Sequence, residues 1–139
     1  MFGIKLIPDS HSPMPEILWI DSDSAVITIM GVIFKDKYHI DQARTRDKAI
    51  EMSLKRHYNL IITDLPVGGN TKDISFISEI RKHDECSHIP VIAASASLSD
   101  YNPEYLHNNG FLYCLSKPFS IKELSAILAK VLHADTLVT

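Results

Sequence analysis

Glycine, cysteine and tryptophan are scarce in this chain, and neither sign of charge dominates. Its 139 residues include 5 Gly, 2 Cys and 1 Trp, with 14 Lys and Arg against 17 Asp and Glu. Each shortage excludes something. Two cysteines, Cys86 and Cys114, are too few for a disulfide scaffold and suit a reducing compartment. A formal charge of −3 provides no basic stripe, so direct nucleic-acid binding is not expected. No apolar run reaches the roughly 18 to 20 residues of a membrane helix, so no membrane contact is expected. The opening MFGIKLIPDSHSPMP lacks the apolar stretch and small-residue cleavage site of a secretory signal, and the expected location is the cytoplasm. The Gly68-Gly69-Asn70 run lacks the GK[ST] ending of a phosphate-binding loop and reads as a turn. What remains is an ordinary globular mixture, 45% hydrophobic and 22% charged, of a length that suits one domain with a real core.

Three segments are expected. Residues 1–15 form a flexible lead-in, because Pro8, Pro13 and Pro15 break any helix. Residues 16–133 form the folded domain, and residues 134–139 a short tail. Within the domain two periods alternate. Glu16–Asp21 (EILWID), Tyr38–Asp41, Asn59–Asp64 (NLIITD), Ile89–Ser95 (IPVIAAS) and Phe111–Leu115 read as strands, with Trp19 in the core. Val26, Ile29, Met30, Ile33 and Phe34 recur at helical spacing, with Asp23 or Ser24 as the cap. Thr45–His57 is helical, with Ala49 and Met52 inward. Ile74, Ile77 and Ile80 mark a third helix. Pro103–Asn109 is a short one, stopped by Asn109-Gly110. Ile121, Leu124, Ile127, Leu128 and Val131 line the inner face of the last. Five strands alternating with five helices, the strands mostly continuous apolar runs, imply a doubly wound parallel sheet buried on both faces. Right-handed crossovers then bring the carboxyl ends of the strands to one edge, where such sheets bind ligands.

Asp21, Asp64, Ser95 and Lys117 all fall at that edge. Two adjacent carboxylates repel and favour a cation between them. A hard divalent ion such as Mg²⁺ meets that need. A lysine can neutralise the remaining charge, and a serine hydroxyl can hydrogen-bond an incoming anion. Such a set suits acceptance of a phosphoryl group, in which charge on the transferred oxygens must be stabilised. Lys117 is expected to pair with Asp64.

This ordered set resembles the receiver domain of bacterial response regulators over residues 16 to about 133. The resemblance implies a flavodoxin-like fold, with Asp64 the phosphoacceptor, Ser95 in ASAS the switch hydroxyl and Lys117 in SKPF the lysine. It also implies a cis bond between Lys117 and Pro118. Asp21, Asp64 and the backbone carbonyl of Pro66 would hold Mg²⁺, and Asp23 is close enough in sequence to be considered beside its role as a cap. Two positions depart from the family pattern. Ser22 stands where a second acidic metal ligand belongs, so Mg²⁺ binding is expected to be weakened. Cys114 stands where the family has a switch aromatic; Tyr113 is one residue away and faces the other side. Pro66 also offers no polar side chain to orient an attacking water, so hydrolysis of a phosphoryl group on Asp64 is expected to be slow.

The function implied is a stand-alone signalling receiver. A sensor histidine kinase or phosphotransfer protein would phosphorylate Asp64, and the state would pass to a downstream protein target by contact. A dimer is compatible with the last helix and strand. The chain is not expected to be an enzyme beyond self-directed phosphotransfer or dephosphorylation. The alternative is a phosphorylation-independent pseudo-receiver that serves as an interaction domain. A more distant reading takes Asp21-Ser22-Asp23 as the DxD of a small phosphatase-like enzyme, although Ala25 and the missing late acidic pair argue against it. His83, Cys86 and His88 (HDECSH) offer only three zinc ligands where a structural site has four, and read as a solvated loop. Cys114 reads as a core thiol.

Overall fold

A computed structural model describes residues 14–65, 76–83 and 88–132. Most of the expected lead-in and tail, together with Ile74, Pro66, Cys86 and the Gly68-Gly69-Asn70 turn, lie outside the described residues. In chain order the elements are β1 (Glu16–Ile20), α1 (Ser24–Ile33), β2 (His39–Ala43), α2 (Arg46–Lys55), β3 (Leu60–Thr63) and α3 (Phe76–Arg81). After these come β4 (Val91–Ser95), a 3-10 turn (Leu98–Asp100), α4 (Pro103–Asn108), β5 (Phe111–Ser116) and α5 (Ile121–Leu132). The strands pair in parallel in the order β2-β1-β3-β4-β5. This is the single-domain, doubly wound, flavodoxin-like fold, and its strand order reverses between β1 and β3.

Burial explains the apolar strands. Every residue of β3 and β4 is buried, because helices cover both faces. On one face Ile17, Trp19, Leu60, Ile62, Ile92 and Ala94 meet Ile27 and Met30 of α1 and Leu124 and Leu128 of α5. On the other, Leu18, Ile20, Ile61, Val91 and Ala93 meet Ala49 of α2, Ile77 and Ile80 of α3 and Leu106 of α4. Caps set the helix starts. Asp23 accepts from the Ala25 amide, Thr45 from Lys48 and Asn102 from Glu104 and Tyr105. Each satisfies amides that the helix itself leaves unpaired. Gly110 ends α4 at φ 94°, a conformation glycine adopts without steric cost.

The inner stripe of α1 differs from the expected one. Ile27, Met30 and Phe34 are buried, whereas Ile29 and Ile33 are 54% and 42% exposed. Seven of the ten residues of SAVITIMGVI are Ala, Val, Ile or Met, so more than one helical stripe fits the apolar pattern. The sheet then selects the stripe. In α5, Ile121 is likewise exposed while Leu124 and Leu128 are buried. Ile27→Ala should therefore cost about 2–4 kcal/mol through transfer and cavity terms. Ile29→Ala should change stability by no more than about 0.5 kcal/mol. Urea unfolding of the two variants, followed by Trp19 fluorescence, checks the assignment.

Candidate functional site

The residues beyond the strand ends are held by extensions of the sheet ladder. The Asp21 amide donates to the Ala43 carbonyl at 3.0 Å and the Asp64 amide to Ile20 at 2.9 Å. The Lys117 amide donates to Ser95 at 3.0 Å. Each bond fixes one residue against the neighbouring strand, and so brings together groups distant in sequence. The pocket thus sits over β1, β3, β4 and β5, around the point where strand order reverses.

Asp21 is buried, with 7% of its side chain exposed. Its Oδ1 accepts from the Asp23 amide at 3.0 Å, and Lys117 Nζ donates to its Oδ2 in a short charge-assisted bond. Gln42 Nε2 donates to the Asp21 carbonyl at 2.7 Å and steadies the turn from the next strand. Asp64 is more open, at 39% of its side chain. Its Oδ1 accepts from the Leu65 amide at 2.9 Å and lies 3.7 Å from Lys117 Nζ. Among the described residues Asp64 Oδ2 has no hydrogen-bond partner. Lys117 thus bridges both carboxylates: the expected ion pair with Asp64 is present, and its hydrogen bond goes to Asp21. The buried carboxylate has lost more water and gains more from an ammonium.

Ser95 is fully buried. Its hydroxyl donates to the Leu65 carbonyl at 3.4 Å and accepts from the Ser97 amide at 2.9 Å, tying the loop after β3 to the loop after β4. The long bond to Leu65 is the weaker of the two. Asp23 serves as the helix cap, with one carboxylate oxygen committed to Ala25. Ser22 is exposed beside the pocket. The Lys117–Pro118 bond is cis. The Pro66 carbonyl lies outside the described residues.

The expectation that Cys114 is a core thiol is overturned: the side chain is exposed and the thiol free. It lies on the edge strand β5, beside which the six-residue α4 buries Leu106 and packs the partly exposed Tyr105. Val91 pairs with Phe111 but Ile92 with Tyr113, so Leu112 is an extra residue in β5 and is half exposed. Beyond this bulge the register shifts by one and each later side chain changes face. Tyr113 accordingly packs with the α1/α5 cluster, with Lys130 over its ring at 5.5 Å. It does not replace an aromatic at position 114. Although Cys114 reaches solvent, its surroundings remove enough water to push the thiol up from its ordinary value. In a Cys86→Ser background, Cys114 should therefore react several-fold more slowly than a simple thiol at pH 7–8. The rate should climb about tenfold per pH unit until the thiol ionises. A rate matching free cysteine at pH 7 would contradict the burial argument.

Sequence patterns did not reveal the contact between Trp19 and Phe119, whose ring centroids are 6.1 Å apart. Phe119 follows Lys117 by two residues, so the single tryptophan is coupled to the pocket loop. Gln42 was also missed. The only available signal was its position at the end of a strand beside β1.

Comparison with known proteins agrees with this geometry. Residues 17–129 match the model of the response regulator receiver domain. The chain is 25% identical over 126 residues to the sensor histidine kinase TmoS of Ectopseudomonas mendocina, covering 91% of this chain and 13% of that protein. It is 29% identical over 110 residues to the transcriptional regulatory protein ResD of Bacillus subtilis (strain 168), covering 78% of this chain and 44% of that protein. The chain thus spans less than half the length of either relative. Among solved structures, the chemotaxis response regulator CheY4 of Vibrio cholerae superimposes with a TM-score of 0.74 at 21% identity, over 86% of this chain and 100% of that one. The receiver domain of sensor histidine kinase PA1611 from Pseudomonas aeruginosa PAO1, described with a magnesium ion in its active site cleft, gives 0.71 at 23% identity, over 86% and 98%. The topology, the carboxyl-edge acids with their lysine, and a family match over residues 17–129 lead to one conclusion: this chain belongs to the response regulator receiver domain family of two-component signalling.

Proposed function

We propose that the chain accepts a phosphoryl group on Asp64 from a histidine kinase or phosphotransfer protein and passes its state on by protein contact. Receiver domains interact with such donors and bind Mg²⁺ in an acidic pocket. The observation that carries the reading is the asymmetry of the two acids. Asp21 is buried with both oxygens engaged, whereas Asp64 is open with Oδ2 free of protein partners among the described residues. An in-line acceptor needs such an accessible oxygen beside fixed positive charge. Asp64 Oδ2 would attack phosphorus as the donor histidine's P–N bond breaks, leaving the bond's electron pair on the imidazole nitrogen. Lys117 Nζ, 3.7 Å from Asp64 Oδ1, offsets charge on the phosphoryl oxygens. The Ser95 hydroxyl exchanges its long bond to Leu65 for one of those oxygens.

The donor set fits a hard cation, with Asp21 and Asp64 converging as oxygen ligands, but Ser22 makes it one charge poorer. When bound, Mg²⁺ would supply charge neutralisation on the transferred group. The exposed Ile29, Val32 and Ile33 of α1, on the helix that starts just past Asp23, supply apolar surface for a partner. Ser22 also supports a second reading, a receiver fold used for interaction without phosphorylation.

Intact mass after incubation with Mg²⁺ and a small phosphoryl donor tests the first reading. The wild type should gain one phosphoryl group and Asp64→Asn none. A folded wild type that gains nothing would leave the interaction-domain reading.

A further inference from the structure

Glu16, His39 and Asp41 form a compact donor cluster at the amino edge of the sheet. Glu16 and His39 are Cα partners across the β1–β2 pair, and Asp41 follows His39 by two residues, so its side chain shares the same strand face. One donor atom from each, two carboxylate oxygens and an imidazole nitrogen, lie within 4.8 Å of one another. Their mounting is rigid. The Glu16 amide donates to Asn59 Oδ1 at 2.8 Å, and its carbonyl accepts from the Asn59 amide at 2.7 Å. The buried Tyr58 hydroxyl donates to Asp41 Oδ2 at 2.7 Å. The cluster is separate from the phosphoacceptor pocket: Glu16 begins β1 and Asp21 follows its end, about 16 Å away at the rise of a strand.

Arg56, next to α2, currently supplies the positive charge. Its Nη2 donates to Glu16 Oε1 at 2.9 Å, and its Nε lies 3.7 Å from Asp41 Oδ2. His39 Nδ1 lies 2.7 Å from the same Glu16 oxygen. Arg56 is half exposed on a flexible stem, so it can withdraw without disturbing the core. Two carboxylates and a neutral imidazole match the charge of a divalent ion. One nitrogen and two oxygens, with water completing the shell, suit a borderline transition metal better than Mg²⁺.

We propose that Glu16, His39 and Asp41 form a second cation site, selective for Zn²⁺-like divalent metals over Mg²⁺, with Arg56 as the competing internal cation. The competition makes the idea testable. Zn²⁺ titration by calorimetry, with Co²⁺ absorption as a check on coordination, would be run on the full chain in excess Mg²⁺. Wild type should bind one equivalent at this site. His39→Ala should weaken that binding at least tenfold, whereas Asp64→Asn should leave it unchanged. Arg56→Gln, which keeps the carboxylates and removes their cation, should tighten it several-fold. Circular dichroism confirms that each variant is folded. Binding that survives His39→Ala would place the metal elsewhere, and a folded Arg56→Gln that binds no tighter than wild type would mean that the cluster is an ion-pair network only. Either result overturns the proposal.

Discussion

Ser22→Asp should strengthen Mg²⁺ binding by roughly tenfold or more. The position lies directly after Asp21, beside the carboxyl edge where Asp21 and Asp64 converge. A third carboxylate near 4 Å from a cation contributes between about 1 kcal/mol in water and about 4 kcal/mol at the screening typical of protein surfaces, per unit charge on the ion. Ser22 is exposed, so the lower end applies, and about 1.4 kcal/mol is a factor of ten. Trp19 stacks on Phe119 in the pocket loop, so its fluorescence during Mg²⁺ titration reads the effect. Phosphoryl transfer at limiting Mg²⁺ should accelerate in parallel. If affinity is unchanged, the position 22 side chain does not face the ion, and Asp23 or backbone oxygens must complete the shell.

Lys117→Ala should destabilise the fold by about 1–3 kcal/mol at neutral pH. The substitution leaves Asp21, 7% exposed, without its cation partner, and breaking a buried pair from one side is costly. The discount from the fully buried range reflects Lys117 itself, whose side chain is 23% exposed. Urea melts of the variant and wild type at pH 7 measure the loss. Mg²⁺ should also stabilise the variant more than wild type, because Lys117 no longer competes for Asp21 Oδ2. Equal stabilisation of variant and wild type by Mg²⁺ would show that the lysine contributes packing rather than charge at Asp21.

Much of this protein could be read from its residues. Continuous apolar runs in Leu60–Thr63 and Val91–Ser95 identified strands buried on both faces, since no other short element is apolar throughout with helical segments on either side. Asp23 or Ser24 and the Asn109-Gly110 stop marked helix ends because cap chemistry is local. Asp21, Asp64, Ser95 and Lys117 followed from the same logic: each ends a strand or begins the loop beyond it, and parallel strands share one edge. The Cys114 mismatch followed from the resemblance to receiver domains, and alternation within a strand then put Tyr113 on the other face.

Contacts between elements were decided by tertiary structure. Which stripe of α1 faces inward could not be read, because Ile27, Ile29, Met30, Val32 and Ile33 leave the helix apolar nearly all round and the sheet makes the choice. Cys114 came out exposed rather than buried because β5 is an edge strand covered there by a short helix, a property of the neighbours and not of the strand. The Leu112 bulge is a mismatch between two strands and has no signature in either alone. Lys117 hydrogen-bonds Asp21 rather than Asp64 because burial differs between two chemically identical carboxylates. Glu16, His39 and Asp41 came together through the register of β1 against β2. Residue types and their periods thus determined the elements and the edge that carries the chemistry, since both are governed by short-range geometry. Partnership, burial and register are long-range, and were settled only when the helices packed onto the sheet.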